Sequence, residues 1–267
     1  MKYGFIGVGN MGSAILRGLL NSRKISPEDV YICGRDFAKT KKLADELEVE
    51  AIDKKAEIVK KSDFLFIGVE PGTFKDVMPE ISAAHDDKVI YISMAAGITI
   101  EFLADYLGAD AKIIRIMPNT PAKVGEIMVS VSRNSNVSDE EVKSVIDLFS
   151  NMGKAAEVPE DMIHAVIGVS GSSPAYTYMY IDALAKSAAA YGIDPAKARV
   201  FAAQAVLGAA KMVLSTDIDL GVLVKNVCSP GGTTIEAVES LQNDDFEEIV
   251  ERAAKAAIEK SIKMSSK

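Results

Sequence analysis

The sequence contains no tryptophan and has only two cysteines and two histidines in 267 residues. Cys33 and Cys228 form no CxxC pair and join no Cys/His cluster. A structural zinc site and a disulfide-held scaffold are therefore excluded, no metal is expected, and a reducing cytoplasm suits the chain. Long apolar runs are lacking as well: nothing approaches the ~20 uninterrupted apolar residues of a membrane span. Residues 2–20 place Lys2 ahead of an apolar stretch, as a signal peptide would. Asn10 and Arg17 interrupt that stretch, however, and no small-residue cleavage site precedes Arg23-Lys24. Positive charge is in deficit, with 30 Lys and Arg against 38 Asp and Glu and a net charge of -8. Non-specific nucleic-acid binding, which is mostly phosphate neutralisation by Lys and Arg, is not expected of such a chain. What is present is ordinary for a globular protein of about two domains: 48% hydrophobic and 25% charged residues.

The first half alternates strand-like and helix-like segments. Apolar runs at Gly4–Val8, Val30–Cys33, Phe64–Val69, Val89–Met94 and Ile113–Met117 read as strands, several of them buried on both faces. Met11–Asn21 and Ala38–Leu47 have helical spacing, so parallel strands with helical crossovers are expected. Glu126–Ser132 and Lys154–Val158 read as further strands, with a helix between them opened by the capping-box spacing of Ser138 and Glu141. Pro159 breaks the pattern, and no strand is expected after it. Residues 161–266 read as alanine-rich helices, with Ser173-Pro174 and Asp194-Pro195 as N-cap and first-turn pairs. The fold class is α/β: a Rossmann-like parallel-sheet domain over 1–158 and an all-helical domain over 159–267. A helical half so rich in alanine and poor in aromatics has a thin core alone, which favours a homo-oligomer.

Two motifs carry chemistry. Gly7-Val8-Gly9-Asn10-Met11-Gly12 follows the first strand and opens a helix. Gly7 permits a tight turn, Gly9 lets backbone approach a pyrophosphate, and Gly12 lets helix and strand pack closely, while the helix start offers free N–H groups to the anion. At the end of the second strand, where an acid would bond the ribose of NAD, stand Cys33, Gly34 and Arg35. A cation there suits the 2′-phosphate of NADP, although Asp36 is close by. The second motif is Ser229-Pro230-Gly231-Gly232-Thr233-Thr234, ahead of a helix over Ile235–Leu241. Its glycines expose N–H groups suited to a carboxylate, and Thr233 and Glu236 have capping-box spacing; a plain helix cap fits the spacing equally well. No GxSxG elbow occurs, and His85 and His164 sit in no motif.

These blocks resemble the pyrroline-5-carboxylate reductase family along essentially the whole chain: GFIGVGNMG at 4–12, ISMAAGIT at 92–99, RIMPNTP at 115–121, SGSSPAY at 170–176, AAQAVLGAAKM at 202–212 and SPGGTTIEAVE at 229–239. The resemblance implies reduction of a small cyclic imino acid, 1-pyrroline-5-carboxylate, to L-proline by NADPH, with NADH as the alternative. It implies a helical dimerisation domain, and hence a homodimer or a ring of dimers, with no nucleic-acid or membrane partner. Cofactor contacts carried over from the family fall on Ile6, Gly7, Val8, Gly9, Asn10 and Met11 of the first loop, and on Gly68, Val69, Glu70 and Pro71. Met94, Ala95 and Ala96 would approach the nicotinamide, with Asn119 close by. Substrate contacts fall on Glu160, Asn226, Ser229, Gly232, Thr233 and Thr234, and Thr234 would bond the imine nitrogen as the catalytic group.

The chain departs from the family pattern at Glu70, where lysine is usual, at Ser173 for glycine, at Lys55 for an asparagine that meets the adenosine, and at Lys225 for a frequent aspartate. A β-hydroxyacid dehydrogenase would share the glycine motif but needs a lysine that Ser170–Tyr180 lacks. A non-catalytic dinucleotide sensor is the reading from a different class. Cofactor binding without imine reduction would distinguish it.

Overall fold

The computed structural model describes residues 1–265. The chain divides into two compact units, Met1–Gly171 with Ala257–Lys267, and Ser172–Ala256.

The first unit is built on one eight-stranded sheet of order β3-β2-β1-β4-β5-β6-β7-β8. Its strands are β1 (Tyr3–Ile6), β2 (Val30–Cys33), β3 (Glu50–Ala51), β4 (Phe64–Ile67), β5 (Ile90–Ser93), β6 (Lys112–Met117), β7 (Ile127–Arg133) and β8 (Gly153–Glu157). Every residue of β1, β4 and β5 is buried, as their unbroken apolar runs imply for strands covered on both faces. One face carries Phe5, Ile32, Phe66, Ile92 and Ile114 against the Ile15, Leu16 and Leu19 side of α1 (Asn10–Asn21). The other carries Ile6, Ile67, Tyr91 and Ile113. The remaining helices of this half are α2 (Phe37–Leu47), α3 (Lys55–Lys61), α4 (Phe74–Ala83), α5 (Ile100–Leu107), α6 (Asp139–Phe149) and α7 (Ile163–Val166).

The sequence reading missed β3, α3, α4 and α5. The β3 strand is only two residues long, and Pro79 lies inside α4, where proline ordinarily argues against a helix. Yet Phe74, Met78 and Ile81 of α4 are buried at helical spacing. The strands from β1 to β6 pair in parallel as expected, and β7, whose direction the sequence left open, runs antiparallel to β6. Only residues 118–126 join these strands, fewer than a parallel crossover of a dozen or more requires. The expected capping box forms at α6: the Ser138 hydroxyl accepts from Glu141 N–H, and the Glu141 carboxylate accepts from Ser138 N–H.

After β8 no described residue is in a strand. The second unit holds α8 (Ser173–Ala190), α9 (Pro195–Leu214), α10 (Leu220–Val227), α11 (Thr233–Asn243) and the first part of α12 (Phe246–Ser265). Helices α8 and α9 pack on each other, and Asp194 caps α9 by accepting from Lys197 N–H at 3.1 Å. The expected Ser173 cap is displaced: Ser172 is the N-cap, so Ser173 and Pro174 already lie in the first turn. No described helix is long and apolar enough to cross a membrane.

Candidate cofactor edge and substrate loop

In the sheet unit, the sequence-selected residues collect at one edge. The chain leaves β1 toward β2 and β3 on one side, whereas β4, β5 and β6 lie on the other. The carboxyl ends of β1 and β4 thus flank the point where strand order reverses, the usual ligand crevice of an open α/β sheet. Gly7 follows β1 with φ +88°, a region that favours glycine. Its N–H donates to Cys33 O at 2.8 Å, and Gly68 N–H donates to Ile6 O at 2.8 Å. A Cβ on Gly7 would lie 2.8 Å from the Gly68 backbone, and one on Gly68 would lie 2.8 Å from Gly7 O. Glycine is therefore required in both loops for them to pass this closely.

Helix α1 starts immediately beyond, with Gly9 as N-cap, no side-chain cap and no acid in its first turn. Its first amides consequently have no intrahelical partner and no competing anion. A Cβ on Gly9 would meet none of the described residues within 4 Å. This open, amide-lined helix start fits the pyrophosphate of a dinucleotide.

At the end of β2, Arg35 is exposed and has no ion-pair partner among the described residues. The neighbouring Asp36 is already engaged: its carboxylate caps α2 by accepting from Lys39 N–H at 3.1 Å and lies 3.6 Å from Lys39 Nζ. Asp36 is held below the ordinary carboxylate range chiefly by that backbone bond. The cation therefore faces solvent while the nearby acid is occupied. Cys33 is buried beside them, and burial pushes its thiol up to about 11, leaving it protonated and unreactive. Lys55 pairs with Glu80 at 2.9 Å.

Beyond β4, Gly68 and Val69 are half-buried and Glu70 and Pro71 exposed. Beyond β5, Met94 and Ala95 are buried and Ala96 is half-buried. Beyond β6, Asn119 is buried and spends its side chain on the fold. Its Oδ1 accepts from Met128 N–H at 2.9 Å, and its Nδ2 donates to Ser170 O at 3.3 Å. Ser170 lies in a π-helical turn over Ile167–Gly171, a distortion often found near functional sites. Glu160 is bound to a residue the sequence reading passed over: its Oε1 accepts from Arg115 Nη1 at 2.9 Å and from Ile100 N–H at 2.8 Å. The available signal was a single charge inside the apolar run Ile113–Met117. The histidines serve structure: His85 bonds Tyr91 and Asp87, and His164 Nδ1 lies 2.9 Å from Ser261 Oγ.

In the helical unit, the Ser229–Thr234 segment forms a tight turn into α11. Gly231 has φ +69°, and Gly232 N–H donates to Ser229 O at 2.9 Å. The expected Thr233–Glu236 capping box does not form, because Gly232 is the N-cap and Thr233 is the first helical residue. With no side-chain cap, the first amides of α11 are left to water or to an anion. Ser229 and Thr233 are exposed and Thr234 is half-buried, while Asn226 is exposed on α10. No described cluster of His, Cys, Asp or Glu could hold a metal ion.

Comparison with known proteins gives a consistent result. Residues 160–264 match the family model described as pyrroline-5-carboxylate reductase dimerisation, and residues 2–97 match the NADP oxidoreductase, coenzyme F420-dependent, model. The chain is 45% identical to the pyrroline-5-carboxylate reductase of Escherichia coli K12 over 264 residues, 99% of this chain and 98% of the relative. It superposes on the Plasmodium falciparum pyrroline carboxylate reductase crystallised with NADP at TM-score 0.88 and 30% identity, covering 99% and 98% of the two chains. The Coxiella burnetii pyrroline-5-carboxylate reductase gives TM-score 0.93 at 29% identity, covering 99% and 98%.

Proposed function

The chain belongs to the pyrroline-5-carboxylate reductase family, and from that premise we propose that it reduces 1-pyrroline-5-carboxylate to L-proline with NADPH as the preferred reductant. The observation that carries the cofactor half is the pair of glycine loops after β1 and β4, with an uncapped helix start between them and open space at Gly9. Ile6 to Met11 would hold the pyrophosphate, and Gly68 to Pro71 would border it. Met94, Ala95 and Ala96, with Asn119 behind them, would face the nicotinamide. The unpaired Arg35 would meet a 2′-phosphate.

The reduced nicotinamide supplies, when bound, the hydride that adds to the carbon of the C=N bond. The chain's own residues bind and orient the acceptor. The free amides of Thr233 and Thr234 and the Ser229 hydroxyl take the substrate carboxylate, on a turn that the Gly232 N–H bond to Ser229 O holds in shape, with Asn226 bordering it. The Thr234 hydroxyl bonds the imine nitrogen and holds the proton that this nitrogen keeps in the product amine. If the imine enters protonated, no strong acid or base is needed, and positioning supplies most of the acceleration.

A cytoplasmic homodimer, or a ring of dimers, completes the reading. Its support is the dimerisation family match over 160–264 and the large apolar side chains, such as Phe201 at 63% exposure and Val227 at 65%, that a single copy leaves uncovered.

The test is direct. Purified protein with NADPH and pyrroline-5-carboxylate is followed by nicotinamide absorbance and a proline assay, with NADH in parallel. Proline formation faster with NADPH is expected. Cofactor binding without proline overturns the reaction. Thr234→Ala is expected to lower turnover by about 10²-fold, the cost of a lost transition-state hydrogen bond, with NADPH affinity unchanged; unchanged turnover removes Thr234 from the mechanism.

A further inference from the structure

We propose that Glu160 is a positioning residue which, with Arg115, clamps both ends of the Met94–Thr99 loop and thereby sets where that loop meets the nicotinamide half of the cofactor. The inference rests on the proposed reaction only in identifying what the loop faces.

The geometry is specific. The loop leaves β5 after Ser93, and Ser93 is the register partner of Arg115 on β6. The loop enters α5 at Ile100, whose N–H donates to Glu160 Oε1 at 2.8 Å. The same oxygen accepts from Arg115 Nη1 at 2.9 Å. One carboxylate oxygen therefore joins the far end of the loop to the strand beside its near end. Thr99 Oγ1 meanwhile accepts from Phe102 N–H at 3.1 Å, so the first turn of α5 is held from both inside and outside the helix.

Burial makes this link hard to replace. The Arg115 side chain is 1% exposed, and its Nε and Nη2 have no hydrogen-bond partner among the described residues. A guanidinium this dry depends on its single carboxylate, because removing one member of a buried pair leaves an uncompensated charge. Water can solvate Glu160 more easily, since its side chain is 29% exposed. The arginine thus fixes the carboxylate, and the carboxylate fixes the loop. Within the loop, Gly97 turns with φ +82°. A Cβ there would lie 3.5 Å from Met264 O at the end of α12, so the middle of the loop is also backed by chain.

The test uses nucleotide binding and amide exchange as well as turnover. Glu160→Ala removes both acceptor bonds. Glu160→Gln keeps an acceptor for Ile100 N–H but abandons the charge on Arg115. Arg115→Met with Glu160→Gln removes the stranded charge and keeps the acceptor. Three measurements are made on each: affinity for NADPH, affinity for adenosine 2′,5′-bisphosphate, and exchange of the Ile100 amide.

For Glu160→Ala we expect faster Ile100 exchange, NADPH affinity down by at least about tenfold, and adenosine bisphosphate affinity unchanged. Turnover falls by about 10²-fold, as misplaced reacting groups cost, with the imine KM unchanged. The double variant recovers fold stability relative to Glu160→Gln, because no buried charge is left unpaired, but neither Ile100 protection nor NADPH affinity, because nothing anchors the side chain at 160.

Equal weakening of both nucleotides overturns the clamp in favour of a general loss of fold. A raised imine KM with NADPH affinity and turnover intact overturns it in favour of a substrate contact through the other carboxylate oxygen. Should Glu160→Ala not fold, the Gln and double variants decide by the same readings. Wild-type protein that binds NADPH but makes no proline overturns the proposed reaction alone, and the nucleotide and exchange measurements still decide the clamp.

Discussion

The sheet unit and the helical unit use similar proportions of apolar sequence in opposite ways. In the first, residues such as Phe5, Phe66 and Ile92 are at most 1% exposed, because helices cover both faces of the sheet. In the second, α8, α10 and α11 bury no residue, and α9 buries only Ala198 and Ala202. Tyr178 stays 61% exposed and Leu214 71%. A helix apolar on all sides belongs in a surround of other chain, and one copy of this unit does not supply it. Burial is thus completed at two levels. The sheet unit closes with its own residues, whereas the helical unit leaves large apolar side chains for another surface to cover.

The largest effect that can break this contrast lies in the sheet. Phe66 stacks on Phe5 with ring centroids 4.6 Å apart. Phe66→Ala should lower unfolding stability by about 3–5 kcal/mol, measured by urea denaturation, and the size of the loss should not depend on protein concentration. In the helical unit the opposite holds. Leu214→Glu should cost about 2 kcal/mol or more of association energy, seen as a shift to lower mass in sedimentation at micromolar protein. Its effect on the urea midpoint should grow as the protein is concentrated, since association stabilises by mass action. A Leu214→Glu protein with unchanged mass would remove that surface from the interface.

A smaller effect is expected at the cofactor edge. A Cβ on Gly12 would clash with the Gly7 carbonyl. That contact is backbone on backbone and cannot relax by rotating a side chain. Gly12→Ala should cost about 1–3 kcal/mol by overpacking and weaken NADPH binding, measured by nicotinamide fluorescence, with oligomeric mass unchanged. Loss of mass together with affinity would show that the two units are not separable in this way.

Much of the sheet was legible because burial on both faces writes itself as unbroken apolar runs: Val30–Cys33 is a strand with the bounds its sequence suggests. The glycine motif was legible through local sterics at Gly7 and Gly12, where a Cβ would run into backbone, while Gly9 leaves its space open. Other features depend on distant partners. The direction of β7 follows from the length of a link, and α4 tolerates Pro79 because its apolar side is buried. Arg115 and Glu160 lie 45 residues apart, so no spacing rule joins them. At the helix starts the sequence proposed caps one residue late, at Ser173 and Thr233, because serine and threonine are compatible both with the cap and with the first turn. The positions expected to touch substrate came from family resemblance; an uncapped helix start by itself names an anion and nothing more.

The smallest predicted effect concerns two elements that the sequence reading missed. Lys55 at the start of α3 is tied to Glu80 of α4 through its backbone N–H and its ammonium, both at 2.9 Å. The bond to Lys55 holds the Glu80 carboxyl below its usual range. A carboxyl depressed in the folded state stabilises the fold above its unfolded value, and that contribution is lost as pH falls through the folded one. Glu80→Gln should therefore be less stable than the parent near neutral pH, with the difference closing in acid below the usual carboxylate range. The side chains are 27% and 41% exposed, so solvent screening keeps the difference under about 1 kcal/mol. Urea midpoints from pH 7 to about 3 measure it. Because the pair lies wholly in the sheet unit, the difference should be the same at every protein concentration. A gap that widens with concentration would mean that the sheet unit, too, relies on association for its stability.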